Sequence, residues 1–273
     1  MDIWNQGNLL TSPLFEPLHR VLQDFDHVLF PNLSDLDLLL TKRPAITLQS
    51  GKQLCFVQQE PGKSGFESQY EPLCFLKGEV QTRENNLHDL FNALVWLTFP
   101  ESKAAINARH YQALTVTSTH LQSQRGSTRD MATLFDESGV IVACSKIHLA
   151  NLLRNFKWKA LFWLHRQDVV ASMGFYIFGH GLYEKAIQPY IGMTGQGLIV
   201  QVEEEFFTWP IAQRMQYLDE CVATYLNDSL HCRDTRELTP VPLLGIPGWS
   251  EQNKLAEYYD NRDYFRPGRR NTN

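Results

Sequence analysis

A histidine, an aspartate and an asparagine interrupt a stretch that is otherwise apolar from Leu87 to Phe99. His88 and Asn92 are four residues apart, so on a helix they project from one face, about 6 Å from each other. Burying an imidazole or an amide without partners costs about 1–3 kcal/mol each. The pair therefore needs a purpose. It could ligate a metal, transfer protons or touch a substrate; alternatively it bonds neighbouring loops while Asp89 helps cap the helix. His180 and Glu184 repeat the spacing, flanked by Gly179 and Gly181, which would let another backbone come close. If the two stripes met, His88, His180 and Glu184 could hold a divalent metal, the cofactor such donors suit. His88, Asp89, His180 and Glu184 would then form the catalytic set. The plainer alternative is a structural His180–Glu184 hydrogen bond. No H-E-x-x-H pattern is present.

A third group comprises Arg125, Arg129, Asp130, Asp136 and Glu137. A planar guanidinium suits a phosphate or carboxylate, so Arg129 and Asp130 join Asn92 as expected substrate contacts. Asp136-Glu137-Ser138-Gly139 has the composition of an ordinary exposed turn. Gly192-x-x-Gly195-x-Gly197 precedes a strand, whereas a phosphate-cradling loop follows a strand and opens a helix. Neither G-x-S-x-G nor G-x-x-x-x-G-K-[ST] occurs.

These residues need elements to position them. Asn85-Asn86 can cap a helix over Leu87–Phe99 that Pro100 ends, and Glu101–Gln124 reads as a second, more polar helix. Met131–Phe135 and Val140–Cys144, joined through Gly139 at positive φ, predict a β-hairpin near 131–144. Ser145 can cap a helix reaching about His165, with a break near Asn155. Further helices are expected at Phe178–Lys185 and for roughly 20 residues after Pro210. Strands are expected at Gln53–Gln58 and Leu198–Val202, and Ser34 can cap a short helix over Leu36–Leu40. Without regular β-α alternation, the fold class is α+β: a helix-rich single domain, 1–273, with a few short strands.

The 273 residues are 43% hydrophobic with 16 Phe, 10 Tyr and 6 Trp, enough to bury a core and to exclude disorder and coiled coil. Twenty-five Lys+Arg against thirty Asp+Glu give a net charge of −5, which removes the generic basic footprint of a nucleic-acid partner. Arg262, Arg266, Arg269 and Arg270, interleaved with Tyr264 and Phe265, have the composition of a single-strand contact in a short tail. The apolar run Val169–Gly179 is about half the length needed to span a bilayer, and the N-terminus lacks the pattern of a secretory signal. No membrane association is expected. Five cysteines without C-x-x-C spacing fit reduced thiols in a cytoplasmic protein.

In order, the motifs Asn86-Leu87-His88-Asp89-Leu90-Phe91-Asn92, Phe99-Pro100, Lys103, Arg129-Asp130, Phe135-Asp136-Glu137-Ser138-Gly139, Trp158-Lys159, Phe178-Gly179-His180-Gly181-Leu182-Tyr183-Glu184-Lys185, Pro189-Tyr190-Ile191-Gly192, Pro242–Trp249 and Tyr264-Phe265-Arg266-Pro267 resemble a bacterial family catalogued as domain of unknown function number 3025. The resemblance covers about residues 50–270, leaving 1–50 as an N-terminal extension of short helices. It implies one globular module and no known activity, substrate or cofactor. The residues themselves point to a hydrolase-like enzyme with a His/Asp/Glu site between helices. The alternative is a non-catalytic binding or adaptor protein that uses Trp209, Trp249, Tyr258, Tyr259 and Phe265 as a C-terminal surface.

Overall fold

Three short helices open the chain: α1 (Gln6–Thr11), α2 (His19–Gln23) and α3 (Leu33–Thr41). Asn32, rather than Ser34, caps α3 in a reciprocal capping box with Asp35. The computed structural model describes residues 4–25, 29–59, 65–115, 122–228 and 230–268. Leu14, Phe15, Leu18, Leu22, Leu36 and Leu39 from this N-terminal part are buried in the same apolar core as the rest of the chain.

Strand β1 (Cys55–Gln58) then pairs in parallel with β2 (Glu79–Thr82), and α4 (Tyr70–Lys77) forms the crossover. That helix opens with Tyr70 and Glu71, both of which reach the cavity described below. Gly78 closes that helix at φ +81°, where any Cβ would strike the Gln53 carbonyl.

Helix α5 (Leu87–Thr98) begins as its cap predicts: Asn86 Oδ1 accepts from the Asp89 backbone N–H at 3.0 Å. Leu90, Phe91, Ala93, Leu94, Val95 and Trp96 are buried on nearly all sides. Pro100 ends α5 and also opens α6 (Pro100–Thr115), because the first turn of a helix has no use for the missing N–H. The expected continuation of that helix to Gln124 falls partly on 116–121, outside the described residues.

Helix α7 (Gln122–Ser138) corrects the expected hairpin. Met131, Ala132, Phe135 and Asp136 are buried at helical spacing, so the segment that reads as a strand is the last two turns of a helix. The chain passes directly into β3 (Gly139–Cys144), whose six residues are all buried. Gly139 is absent from the positive-φ positions; its Cβ would instead collide with the Phe135 carbonyl. The strands that pair with β3 are distant in sequence. After α8 (Ile147–Arg154), a left-handed Phe156, a π turn over Ala160–Leu164 and α9 (Arg166–Ser172), β4 (Met173–Ile177) pairs with it antiparallel. After α10 (His180–Ala186), β5 (Thr194–Gln201) pairs with it in parallel. The Gly192–Gly197 segment expected as a loop therefore supplies the start of a strand. Helix α11 (Ile211–Asn227) and edge strand β6 (Thr239–Pro242) complete a sheet of order β4-β3-β5-β6. The fold is helix-rich α+β with two small sheets. No helix among the described residues is long and apolar enough to cross a membrane.

The C-terminal segment straps across this body. Tyr259, Tyr264 and Phe265 are buried, and Tyr264 Oη donates to the Met193 carbonyl at 2.8 Å. Trp158 Nε1 donates to the Arg266 carbonyl at 2.8 Å. Trp209, Trp249 and Tyr258 are partly buried against the core. The aromatic surface expected for a partner is thus largely internal. Arg269 and Arg270 lie outside the described residues, as does the Arg125 side chain.

Candidate functional site

Helix α10 starts against the corner where α7 turns into β3. That approach is possible because residue 179 is glycine: a Cβ there would lie 2.5 Å from the backbone nitrogens of Ser138 and Gly139 and 2.6 Å from the Glu137 carbonyl carbon. A Cβ on Gly181 would strike the Glu137 carboxylate. The two glycines thus seat the His180 turn directly on Glu137. Phe15, packed 5.8 Å from Phe91 of α5 and 5.5 Å from Tyr183 of α10, links the N-terminal helices to both site-bearing helices.

The i,i+4 stripes meet at one imidazole. His88 of α5 directs Nε2 at His180 Nε2, 3.1 Å away, and Nδ1 at Glu184 Oε2, 3.2 Å away. His180 and Glu184, one turn apart on α10, therefore contact opposite nitrogens of the same ring. Glu137 Oε1 lies 3.5 Å from His180 Nε2 and 3.8 Å from His88 Nε2. Two imidazole nitrogens and a carboxylate oxygen thus converge, with Glu184 behind one imidazole and Asp136 behind the other. Asp136 Oδ2 sits 3.6 Å from His180 Nδ1, within charge attraction but too far for a hydrogen bond, and that buried nitrogen has no hydrogen-bond partner among the described residues.

The Asp136 carboxylate is fixed from beneath. Lys103, 2% exposed, donates from Nζ to Asp136 Oδ1 at 2.5 Å and to Asn92 Oδ1 at 2.9 Å, and lies 5.4 Å from the Trp96 ring centroid. Asn92 Nδ2 in turn donates to Tyr70 Oη at 2.7 Å. Burial alone would raise the Asp136 carboxyl; the Lys103 ammonium and nearby His180 outweigh it and hold the group below the usual carboxylate range. Glu137 is also held low, chiefly by His180 against partial burial. Burial pushes the Tyr70 phenol far upward, so it stays neutral.

His88, His180, Asp136, Glu137, Asn92 and Tyr70 line a cavity of about 450 Å³, together with Arg83, His110, Arg129 and Thr133. Asp89 also lines it, but its carboxylate is clamped by Arg83, with Nε at 2.8 Å from Oδ2 and Nη2 at 2.9 Å from Oδ1. Burial raises the Asp89 carboxyl, while the Arg83 hydrogen bonds lower it further, so the net shift is downward. Arg129 is exposed on the cavity-facing side of α7, with no ion pair to any of the described residues. Asp130, also exposed, is not among the lining residues, and neither is Glu184. A second cluster, His148, His165 and Asp168, lies elsewhere at the surface, where Lys146 occupies Asp168 at 2.9 Å.

Of the residues singled out in the sequence, His88, His180 and Glu184 meet in the structure, and Asn92 lines the same cavity through its bond to Lys103. Glu137 and Asp136 read as an exposed turn; the spacing of Met131, Ala132 and Phe135 was the signal that the acidic pair ends a buried helix. Lys103 gave a weaker sign, as a lone cation three residues after a helix-opening proline. Tyr70, Glu71 and His110 carried none.

A helix-rich α+β domain with a paired-histidine, carboxylate-backed cavity is the class that fold and site define. The chain belongs to the family described as a protein of unknown function (DUF3025), whose family model matches residues 54–269. All the cavity residues named above fall within that match. No curated protein and no solved structure matches the chain.

Proposed function

We propose that this protein is a metal-dependent hydrolase in which His88, His180 and Glu137 hold one divalent ion. The observation that carries this reading is the mutual spacing of the three donors. Bonds of about 2.0–2.1 Å at tetrahedral angles separate ligand atoms by about 3.3 Å, against the 3.1, 3.5 and 3.8 Å found here. Two histidines and one carboxylate leave a position for water, the pattern of catalytic rather than structural zinc. Carboxylates hydrogen-bonded behind metal-bound imidazoles orient the ring and raise its basicity; Glu184 stands in that relation to His88, while Asp136 acts on His180 by charge alone.

Under this reading Glu184 supports a ligand instead of being one. Asp89, occupied by Arg83, fixes the start of α5 and performs no chemistry. Asn92 holds Lys103. Arg129, unpaired at the rim, receives an anionic group of the substrate through its guanidinium fork, and Asp130 takes no part. The bound ion would polarise the scissile group and supply hydroxide near neutral pH.

The rival is a purely structural N–H···N bond between the two imidazoles. Elemental analysis of the full chain, purified without chelator, separates the two. The metal reading requires about one equivalent of a transition ion in the wild type and its loss in His88→Ala, His180→Ala and Glu137→Gln. A metal-free wild type that stays metal-free after incubation with Zn²⁺ would leave the structural bond as the explanation.

A further inference from the structure

The lining of the same cavity includes a second histidine–carboxylate pair. His110 of α6 is buried, and its Nδ1 lies 2.7 Å from Glu71 Oε1. Glu71 is itself fixed: Asn107 Nδ2 donates to its Oε2 at 2.6 Å and to its backbone carbonyl at 3.0 Å. A carboxylate on Nδ1 sets the tautomer with hydrogen there and the lone pair on Nε2. Nε2 meets the Thr133 hydroxyl at 3.4 Å, and both residues line the cavity. That contact is long for an O–H···N bond, so a ligand in the cavity could replace it at Nε2.

Position gives the lone pair a use. Thr133 and Glu137 are i and i+4 on α7, hence about 6 Å apart on one face, and Arg129 lies one turn before Thr133. Thr133, which touches His110, thus stands on α7 between the proposed ligand Glu137 and Arg129. A hydrogen phosphate held by such an ion would carry its P–OH about 7 Å out as a donor to the His110 Nε2 lone pair, leaving Arg129 for a more distant group.

We infer that His110, oriented by Glu71, is a second catalytic residue of this cavity, moving the proton during hydrolysis of an anionic ester or phosphoester. This inference rests on the metal reading above. Neutral His110 takes a proton at Nε2 from the attacking water, directly or through one further water, as the water oxygen bonds to the acyl or phosphoryl centre. The scissile bond breaks, its electron pair stays on the leaving oxygen, and that oxygen receives the proton from His110. One water is consumed and the imidazole returns to its neutral form.

Inorganic phosphate on the metal-loaded full chain tests this without a known substrate. Co²⁺-loaded wild type, His110→Ala, Glu71→Gln and Thr133→Val are titrated with phosphate by visible absorption, with metal content and circular dichroism measured on each. Loss of a hydrogen bond to a charged group corresponds to a roughly 10- to 100-fold weakening of phosphate binding. That weakening is expected in His110→Ala and Glu71→Gln at unchanged metal content, with Thr133→Val near wild type. In Zn²⁺-loaded, ¹⁵N-histidine-labelled wild type, phosphate should also shift the His110 Nε2 resonance, a readout that depends on no variant folding. A wild type that takes up no metal overturns the metal reading and this inference together. A loaded chain that binds no phosphate, or binds it with the same affinity in all variants and an unmoved His110 resonance, overturns the role of His110 alone.

Discussion

Replacing Lys103 by methionine removes the cation on which the floor of the cavity depends. Lys103 is 2% exposed and its ammonium is shared between Asp136 at 2.5 Å and Asn92 at 2.9 Å. Methionine preserves most of the stem's packing, so the loss is electrostatic. Breaking one partner out of a buried ion pair costs about 3–5 kcal/mol, because the other charge stays buried and uncompensated. His180, 3.6 Å from the same carboxylate, places the cost toward the lower part of that range. For a chain of this size the equivalent fall in Tm is about 6–20 °C.

The pH dependence carries the sharper signature. In the wild type the folded Asp136 carboxyl is depressed, so its contribution is present above the unfolded pKa and is lost as pH falls through the folded value. With Lys103 gone, burial becomes the leading influence and the carboxyl rises. Its penalty is then largest at neutral pH and is relieved by acid. Urea unfolding at pH 7 and pH 4.5 should show the gap between wild type and Lys103→Met narrowing on acidification, and Lys103→Met/Asp136→Asn should recover part of the loss at pH 7. A gap below about 1 kcal/mol at pH 7, or one that widens in acid, would refute the assignment of Lys103 as the cation that keeps Asp136 ionised.

Three further outcomes follow from the same geometry. Gly179→Ala drives a methyl into the backbone of the α7–β3 corner; it should cost about 1–3 kcal/mol in chemical denaturation and reduce metal retention by dialysis, although residue 179 is no ligand. Glu184→Gln removes only the carboxylate behind His88, so competition with a chelator should show metal affinity about 10- to 100-fold weaker with stoichiometry restored at high metal. Asp219, which caps α6 by accepting from the Glu101 and Ser102 backbone N–H groups, is pushed up by burial to about 6. A carboxyl raised on folding loses stability as pH climbs from its unfolded value through its folded one. The difference in unfolding free energy between wild type and Asp219→Asn should therefore change mainly between pH 4 and 6 and level off above.

What could be read from the chain follows the range of the interactions. Helix α5 is legible because its cap, apolar run and terminating proline are all local. The two i,i+4 stripes are legible because a polar side chain set among apolar or glycine neighbours needs a partner wherever the fold takes it. Glu137 is hidden by chemistry that two structures share: Met131–Phe135 satisfies a strand's composition as well as a helix's spacing. The helix wins because it buries Met131, Ala132 and Phe135 together and turns Asp136 toward Lys103, 33 residues away. The same limit hides Glu71 from His110, 39 residues apart, and β3 from its parallel neighbour β5. Pairings at those separations are fixed by the assembled core, to which no local pattern refers.

Zinc-edge X-ray absorption on the Zn²⁺-loaded chain bears most directly on whether His88, His180 and Glu137 share one ion. The expected spectrum shows two imidazole nitrogens and oxygen donors at about 2.0–2.1 Å, with one imidazole lost in His88→Ala and one in His180→Ala. A spectrum with no imidazole scattering, or one that neither histidine variant alters, would contradict a metal centre at this site.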